Sequence, residues 1–132
     1  MKQLVLIFGT LYGATSVILG AFGAHAFKKV LSAEKLMSFE TGVKYQMYHA
    51  LLLVVIGLFL EFQTGLEKSA AWCIILGTFI FSVSIYFLSF ADHWGINLKW
   101  LGPITPLGGL LMILGWFLLL FYFVKRNGWG QM

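Results

Sequence analysis

The chain has 132 residues, 60% of them hydrophobic and 11% charged, against about 25% charged in an ordinary soluble domain. That length suits one domain and leaves no room for a separate soluble catalytic module. The net charge of +4 is spread close to the ends of apolar stretches, so it offers no basic surface for nucleic acid, and the single cysteine, Cys73, excludes an internal disulfide.

Four stretches lack Asp, Glu, Lys and Arg: residues 4–27, 45–60, 70–91 and 100–124. A bilayer core of roughly 30 Å needs about 20 apolar residues per helix. The pattern predicts an all-α integral membrane protein: a single transmembrane domain over residues 1–132, folded as an antiparallel four-helix bundle, with spans at about 4–27, 43–62, 70–91 and 102–124. Span one opens on Met1-Lys2-Gln3 and closes on Ala24-His25-Ala26, which mimics a signal-peptide cleavage site. Its 24-residue apolar run exceeds the about 7–15 of a signal core, so it reads as a retained helix. Gly9, Gly13, Ser16, Gly20 and Ala24 form a stripe along it. Ala14 and Ala21 lie beside that stripe, in line with His25, which aims the imidazole into the bundle.

The connection over residues 30–44 reads as a short amphipathic helix in the headgroup region. Ser32 is its N-cap and Glu34 lies in its first turn. Leu36, Phe39 and Val43 follow at helical spacing between Lys35, Glu40 and Lys44, and Thr41-Gly42 is expected to bend the chain into span two. In span two, Tyr45, Gln46 and His49 share a face, and Gln46 aligns with Ala50 and Gly57. A polar connection over residues 61–69 leads to span three, which carries Gly77, Thr78, Ser82, Ser84, Tyr86 and Ser89. Ser82 and Tyr86 share a face; no base lies at their depth, so serine-type catalysis is not expected. Trp94 and Trp100 suit an interfacial aromatic belt. Pro103 and Pro106 fall in the first turns of span four, where a missing N–H costs little. Gly108 and Gly115 follow.

Each span thus holds a pair of small residues seven apart, which marks a seam where backbones approach. The packing set is Gly9, Gly13, Gly20, Ala50, Gly57, Gly77, Ser84, Gly108 and Gly115. Chain reversal gathers His25, Glu40, Lys44, Tyr45, Gln46, Tyr48, His49, Asp92, His93 and Lys99 at one end of the bundle. His25 and His49 are expected at similar depth, meeting directly or through Gln46, Tyr45 or a water. Two readings stay open for this cluster: a polar pocket that takes a ligand, and a structural clasp. Two histidines on facing helices could also ligate haem, or a metal with Asp92 or His93, but no CxxCH or Glu-x-x-His pattern supports this. The basic start and the Lys125-Arg126 pair favour cytoplasmic termini in the cell (inner) membrane.

Four segments bring a family into view. Gly20-Ala-Phe-Gly-Ala-His-Ala26 closes span one and Glu40-Thr-Gly-Val-Lys-Tyr-Gln-Met-Tyr-His-Ala50 opens span two. Phe81-Ser-Val-Ser-Ile-Tyr86 lies in span three, and Ile104-Thr-Pro-Leu-Gly-Gly109 with Gly115-Trp116 marks span four. In this order they resemble the bacterial membrane family called domain of unknown function 423, related to vertebrate transmembrane protein 256, over nearly the whole chain. The resemblance implies a four-helix membrane protein without an established activity. It extends to His25, Glu40, Tyr45, Gln46, His49, Ser82, Ser84, Tyr86, Thr105, Pro106 and Gly109, and lends nothing to Asp92 or His93. Val83 departs from a family pattern that often reads Phe-Ser-Gly-Ser, and the lysines of the first connection depart as well.

The resulting expectation is a non-enzymatic membrane protein. Its polar pocket, built from His25, Glu40, Lys44, Tyr45, Gln46, His49, Ser82, Tyr86 and Thr105, opens near one leaflet and binds a lipid or small amphiphile. The alternative is a structural or partner-binding bundle in which these residues only clasp the helices. A proton-coupled transporter is disfavoured by the lack of an inverted repeat or broken helices. No cofactor is implied. The partners expected are membrane lipids, with a second copy or another membrane protein as further candidates.

Overall fold

A computed structural model describes residues 1–126. Helix α1 spans Lys2–Ala24, α2 Ala33–Phe59, α3 Gly65–Trp94 and α4 Ile104–Arg126, with 3-10 turns at Phe27–Lys29 and Lys99–Leu101. All four helices are long and apolar enough to cross a membrane.

Local chemistry sets the helix ends. Ser32 caps α2 by accepting from the Lys35 amide at 3.2 Å. Between α2 and α3 the chain turns around one buried carboxylate. Glu67 accepts from the amides of Phe62, Gln63 and Thr64 and from the Thr64 hydroxyl at 2.8–3.1 Å. Thr64 accepts in return from the Glu67 amide, completing a capping box. At the other end of α3, Gly95 adopts φ 68°, a left-handed conformation that glycine enters without a Cβ clash. Its amide and that of Ile96 then return to the Asp92 and Ala91 carbonyls.

The separate amphipathic helix expected before span two is absent. Residues 33–59 form one 27-residue helix with no break at Thr41-Gly42. Gly42 serves packing instead. A methyl group built on it would lie 2.8 Å from the Tyr86 ring, and its carbonyl accepts from Ser82 Oγ at 2.8 Å. A mid-helix glycine costs roughly 1 kcal/mol in propensity but does not by itself bend a helix. Here it lets α3 lie close.

In lipid, burying apolar surface gives no preference for a partner helix, so seams depend on small residues and interhelical hydrogen bonds. Between α1 and α2, methyl groups built on Gly9 and Gly57 would meet Val54 N at 3.0 Å and Leu6 Cδ2 at 2.7 Å. Gly13 and Gly20 sit more loosely, 3.9 Å from Ala50 and 3.6 Å from Val43 by the same measure. Partners fall in number along α2 as they rise along α1, so the two helices run in opposite senses. The α3–α4 seam is tighter. A methyl on Gly77 would lie 2.7 Å from Met112 N, one on Gly108 2.5 Å from Phe81 N, and one on Gly115 2.6 Å from Ile74 Cγ1. Two of these obstacles are backbone atoms, which cannot step aside.

The α1–α2 and α3–α4 hairpins join through α2 and α3, while α1 touches α3 sparsely. The buried apolar core extends to the end that holds Val5, Leu60, Phe62, Ala70 and Leu119. Beyond it, away from the Glu67 turn, come the polar side chains and then a cluster of rings. In that cluster Phe27 stands 5.2 Å from Phe39 and 4.8 Å from Phe90.

Candidate functional site

Gln46 is the hub of the interior. It is buried on α2, one turn past Gly42. Its Nε2 donates to the Tyr12 carbonyl at 3.0 Å and to Thr15 Oγ1 at 2.7 Å on α1. Its Oε1 accepts from the Tyr86 hydroxyl at 2.6 Å on α3. One side chain therefore ties three helices. Three further links surround it: Tyr12 OH donates to the Ile75 carbonyl at 2.8 Å, Ser82 reaches Gly42, and Ser84 Oγ and Thr105 Oγ1 lie 2.6 Å apart across α3 and α4.

His49, one turn further along α2, is held from both sides. Trp116 Nε1 on α4 lies 3.0 Å from its Nε2, and the Tyr45 carbonyl lies 2.7 Å from its Nδ1. An indole N–H can only donate. Nε2 must then be the acceptor, and Nδ1 carries the proton that it donates to Tyr45. This is a neutral imidazole with its tautomer fixed by its neighbours.

Of the residues expected in a polar pocket, Gln46, His49, Ser82, Tyr86 and Thr105 take part in this network. Tyr45 contributes its carbonyl while its ring is exposed. His25, Glu40 and Lys44 do not join it; all three are exposed. His25 follows α1 as its C-cap, and Ala14 and Ala21, the stripe that was to aim it inward, are exposed too. The buried stripe of α1 is Val5, Gly9, Tyr12, Ser16 and Gly23. His25 lies two residues beyond Gly23, about 200° around the helix. The expected meeting of His25 and His49 is not made, since both His49 nitrogens are engaged elsewhere. Sequence reasoning also missed Tyr12, Thr15 and Trp116. The signal was there in principle, because a phenol or indole within an apolar helix needs a partner for its polar tip. Among the described residues no group of three or more His, Cys, Asp or Glu could hold a metal ion.

Alongside this network runs open space. A cavity of about 280 Å3 lies between α1 and α3, lined by Thr15, Leu19, Gln46, Thr78, Val83 and Tyr86. A second, of about 350 Å3, continues past Leu19, Val83, Phe87 and Trp94. A third, of about 430 Å3, is lined by Phe79, Val83, Phe87 and Trp94 together with Trp100 and Ile104 at the start of α4. Val83 borders all three, so they lie side by side along α3 and give that helix a grooved face. Thr15, Gln46, Thr78, Ser82 and Ser84 belong to its walls, but the surface it presents is almost wholly apolar. The buried Thr78 hydroxyl makes no hydrogen bond among the described residues. The Ile75 carbonyl, three residues before it and a usual target for such a hydroxyl, is the one Tyr12 uses.

Four membrane-capable helices, stitched along their length by side-chain hydrogen bonds and grooved along one of them, define a small multi-pass membrane protein. Known sequences narrow the class. The family model described as "Protein of unknown function (DUF423)" matches residues 19–109. A UPF0382 membrane protein of Staphylococcus haemolyticus is 40% identical over 126 residues, covering 96% of this chain and 99% of its own length. The UPF0382 membrane protein YwdK of Bacillus subtilis is 35% identical over 93% of this chain and 98% of its own. The UPF0382 inner membrane protein YgdD of Escherichia coli K12 is 34% identical over 96% of this chain and 95% of its own. The chain belongs to the DUF423 family of membrane proteins. No solved structure matches it.

Proposed function

We propose that this chain is a non-enzymatic protein of the cell membrane that holds a lipid or small amphiphile in the groove along α3, with the Gln46–His49 network as the clasp that keeps the groove's walls in register. The observation that carries this reading is the adjacency of the three cavities, which share Val83 as a wall. A lipid-facing groove of this size cannot stand empty among acyl chains, and its lining matches them in polarity. The network favours a division of labour: the polar groups of Gln46 and His49 are already satisfied by Tyr12, Thr15, Tyr86, Tyr45 and Trp116, which leaves the groove to meet the ligand.

Native mass spectrometry of the protein extracted in a mild detergent tests this. The wild type should retain a lipid-sized adduct. Val83→Trp, which fills the junction of the cavities, should lose it while thermal stability in detergent changes little. A wild type without any adduct, or a Val83→Trp variant that keeps it, refutes the groove as a binding site. The chain would then be a clasped structural bundle, a reading favoured by the engagement of every polar atom of Gln46 and His49.

A further inference from the structure

Where the groove reaches the end of α3, the lining changes character. Beyond Ile96 and Leu98, which border the apolar cavity, lies another of about 510 Å3, and both residues border that one too. Its polar lining is Lys35, Asp92, Asn97 and Lys99. Lys35 Nζ stands 4.0 Å from Asp92 Oδ2, and Asn97 Oδ1 accepts from the Lys99 amide at 3.0 Å. Two cations against one anion leave this cavity with a surplus positive charge. The Lys35–Asp92 pair accounts for one of each, and Lys99 makes no ion pair among the described residues.

We infer that this polar cavity and the groove below it form one binding site for an anionic glycerophospholipid, its phosphate held between Lys99 and Lys35 and one acyl chain lying along α3. The inference rests on the lipid-binding reading above and adds the headgroup class. Three observations converge. The polar and apolar cavities share a wall, which is the shape of an amphiphile. The charge of the polar part is complementary to a phosphate diester that has no cation of its own. The groove also has the right length: Trp94 and Phe79 stand 15 residues apart on α3, about 22 Å of rise, enough to cross one leaflet of a core roughly 30 Å thick. Trp94 and Trp100 line the groove where it nears the polar cavity, the level at which indoles settle in a bilayer.

The test reconstitutes the full chain in nanodiscs of equimolar phosphatidylcholine and phosphatidylglycerol and reads the retained lipid by native mass spectrometry. The wild type should retain phosphatidylglycerol over phosphatidylcholine. Lys99→Gln and Lys35→Gln should each lower that ratio about fivefold, at about 1 kcal/mol per lysine facing an anionic lipid. The total amount of retained lipid should hold. Asp92→Asn should raise the ratio. Lys29→Gln, at the same end of the molecule but outside the cavity lining, should leave it unchanged. Equal retention of the two lipids by the wild type overturns the inference, as does a ratio indifferent to Lys35 and Lys99. An equal fall with Lys29→Gln overturns it too, by showing diffuse attraction rather than capture. In discs with phosphatidylethanolamine as the second lipid, retention of that lipid over phosphatidylcholine, abolished by Asp92→Asn, would assign the cavity to a zwitterionic headgroup instead. These results leave the groove reading intact, whereas a wild type that retains no lipid of either kind ends both.

Discussion

Trp116 and Gln46 hold the helices together in different ways, and the difference is measurable. Trp116 makes one hydrogen bond, to His49, whose other nitrogen stays paired with Tyr45 when the indole is removed. Trp116→Phe keeps most of the ring contact but leaves His49 Nε2 without a donor, so it should cost about 1 kcal/mol. Gln46→Leu removes three bonds and strands the Tyr86 hydroxyl, so the loss should be severalfold larger. Thermal unfolding of both variants in one detergent tests the ranking, and equal losses would remove Gln46 from its place as hub. Gln46 and His49 were legible in the sequence because amides and imidazoles are rare within apolar spans. His25 misled for the same reason. It stands where the helix ends, and an imidazole at that level can face water or headgroups without cost. Tyr12 and Trp116 were hidden among the many aromatic residues whose ring is apolar and whose single polar atom decides their role.

At the scale of elements, glycine does its work unevenly. A spacing of seven identifies the stripe of a helix that faces a neighbour, and Gly9, Gly57, Gly77, Gly108 and Gly115 do sit at close approaches. The spacing carries no information on how near the neighbour comes. Gly108→Ala would place a methyl group 2.5 Å from a backbone nitrogen of α3, so the α3–α4 hairpin should be strongly destabilised. Gly13→Ala meets only Ala50 at 3.9 Å and gains about 1 kcal/mol of helix propensity, so it should be neutral or stabilising. Measured unfolding temperatures in detergent should move in opposite directions or differ widely; similar losses would mean that the two seams are equally tight. The missing bend at Gly42 belongs here as well. Local signals marked an amphipathic turn followed by a glycine, and a helix that packs that glycine against Tyr86 simply runs through both.

As a whole, the molecule has two unlike ends. The end with the Glu67 turn holds the aliphatic core around Leu60, Ala70 and Leu119, and the other holds the ring cluster, the groove mouth and the lysines of the first connection. The lysines are nearly evenly divided between the two ends, and cysteine labelling tests the expectation of cytoplasmic termini. In a Cys73→Ser background, Lys29→Cys should react with an impermeant maleimide on intact cells, whereas Gln63→Cys should react only after lysis. The reverse pattern would invert the orientation. The four membrane-capable helices were legible from composition and run length. The groove was not, because it arises from what α1 and the start of α4 leave uncovered on α3, a property of three helices together that no single span encodes.

The position of Gln46 also bears on how the chain is made. Synthesis delivers α1 and α2 first, and these two helices can satisfy the Gln46 amide nitrogen between themselves. Its carbonyl oxygen must wait for Tyr86, forty residues later in the chain. Until then a strong acceptor faces hydrocarbon, at a cost that completion of α3 relieves. A chain halted after its first hairpin thus carries a chemical mark of incompleteness that the finished protein hides. Membrane quality-control proteases should degrade a truncation ending before α3 much faster than the same truncation bearing Gln46→Leu.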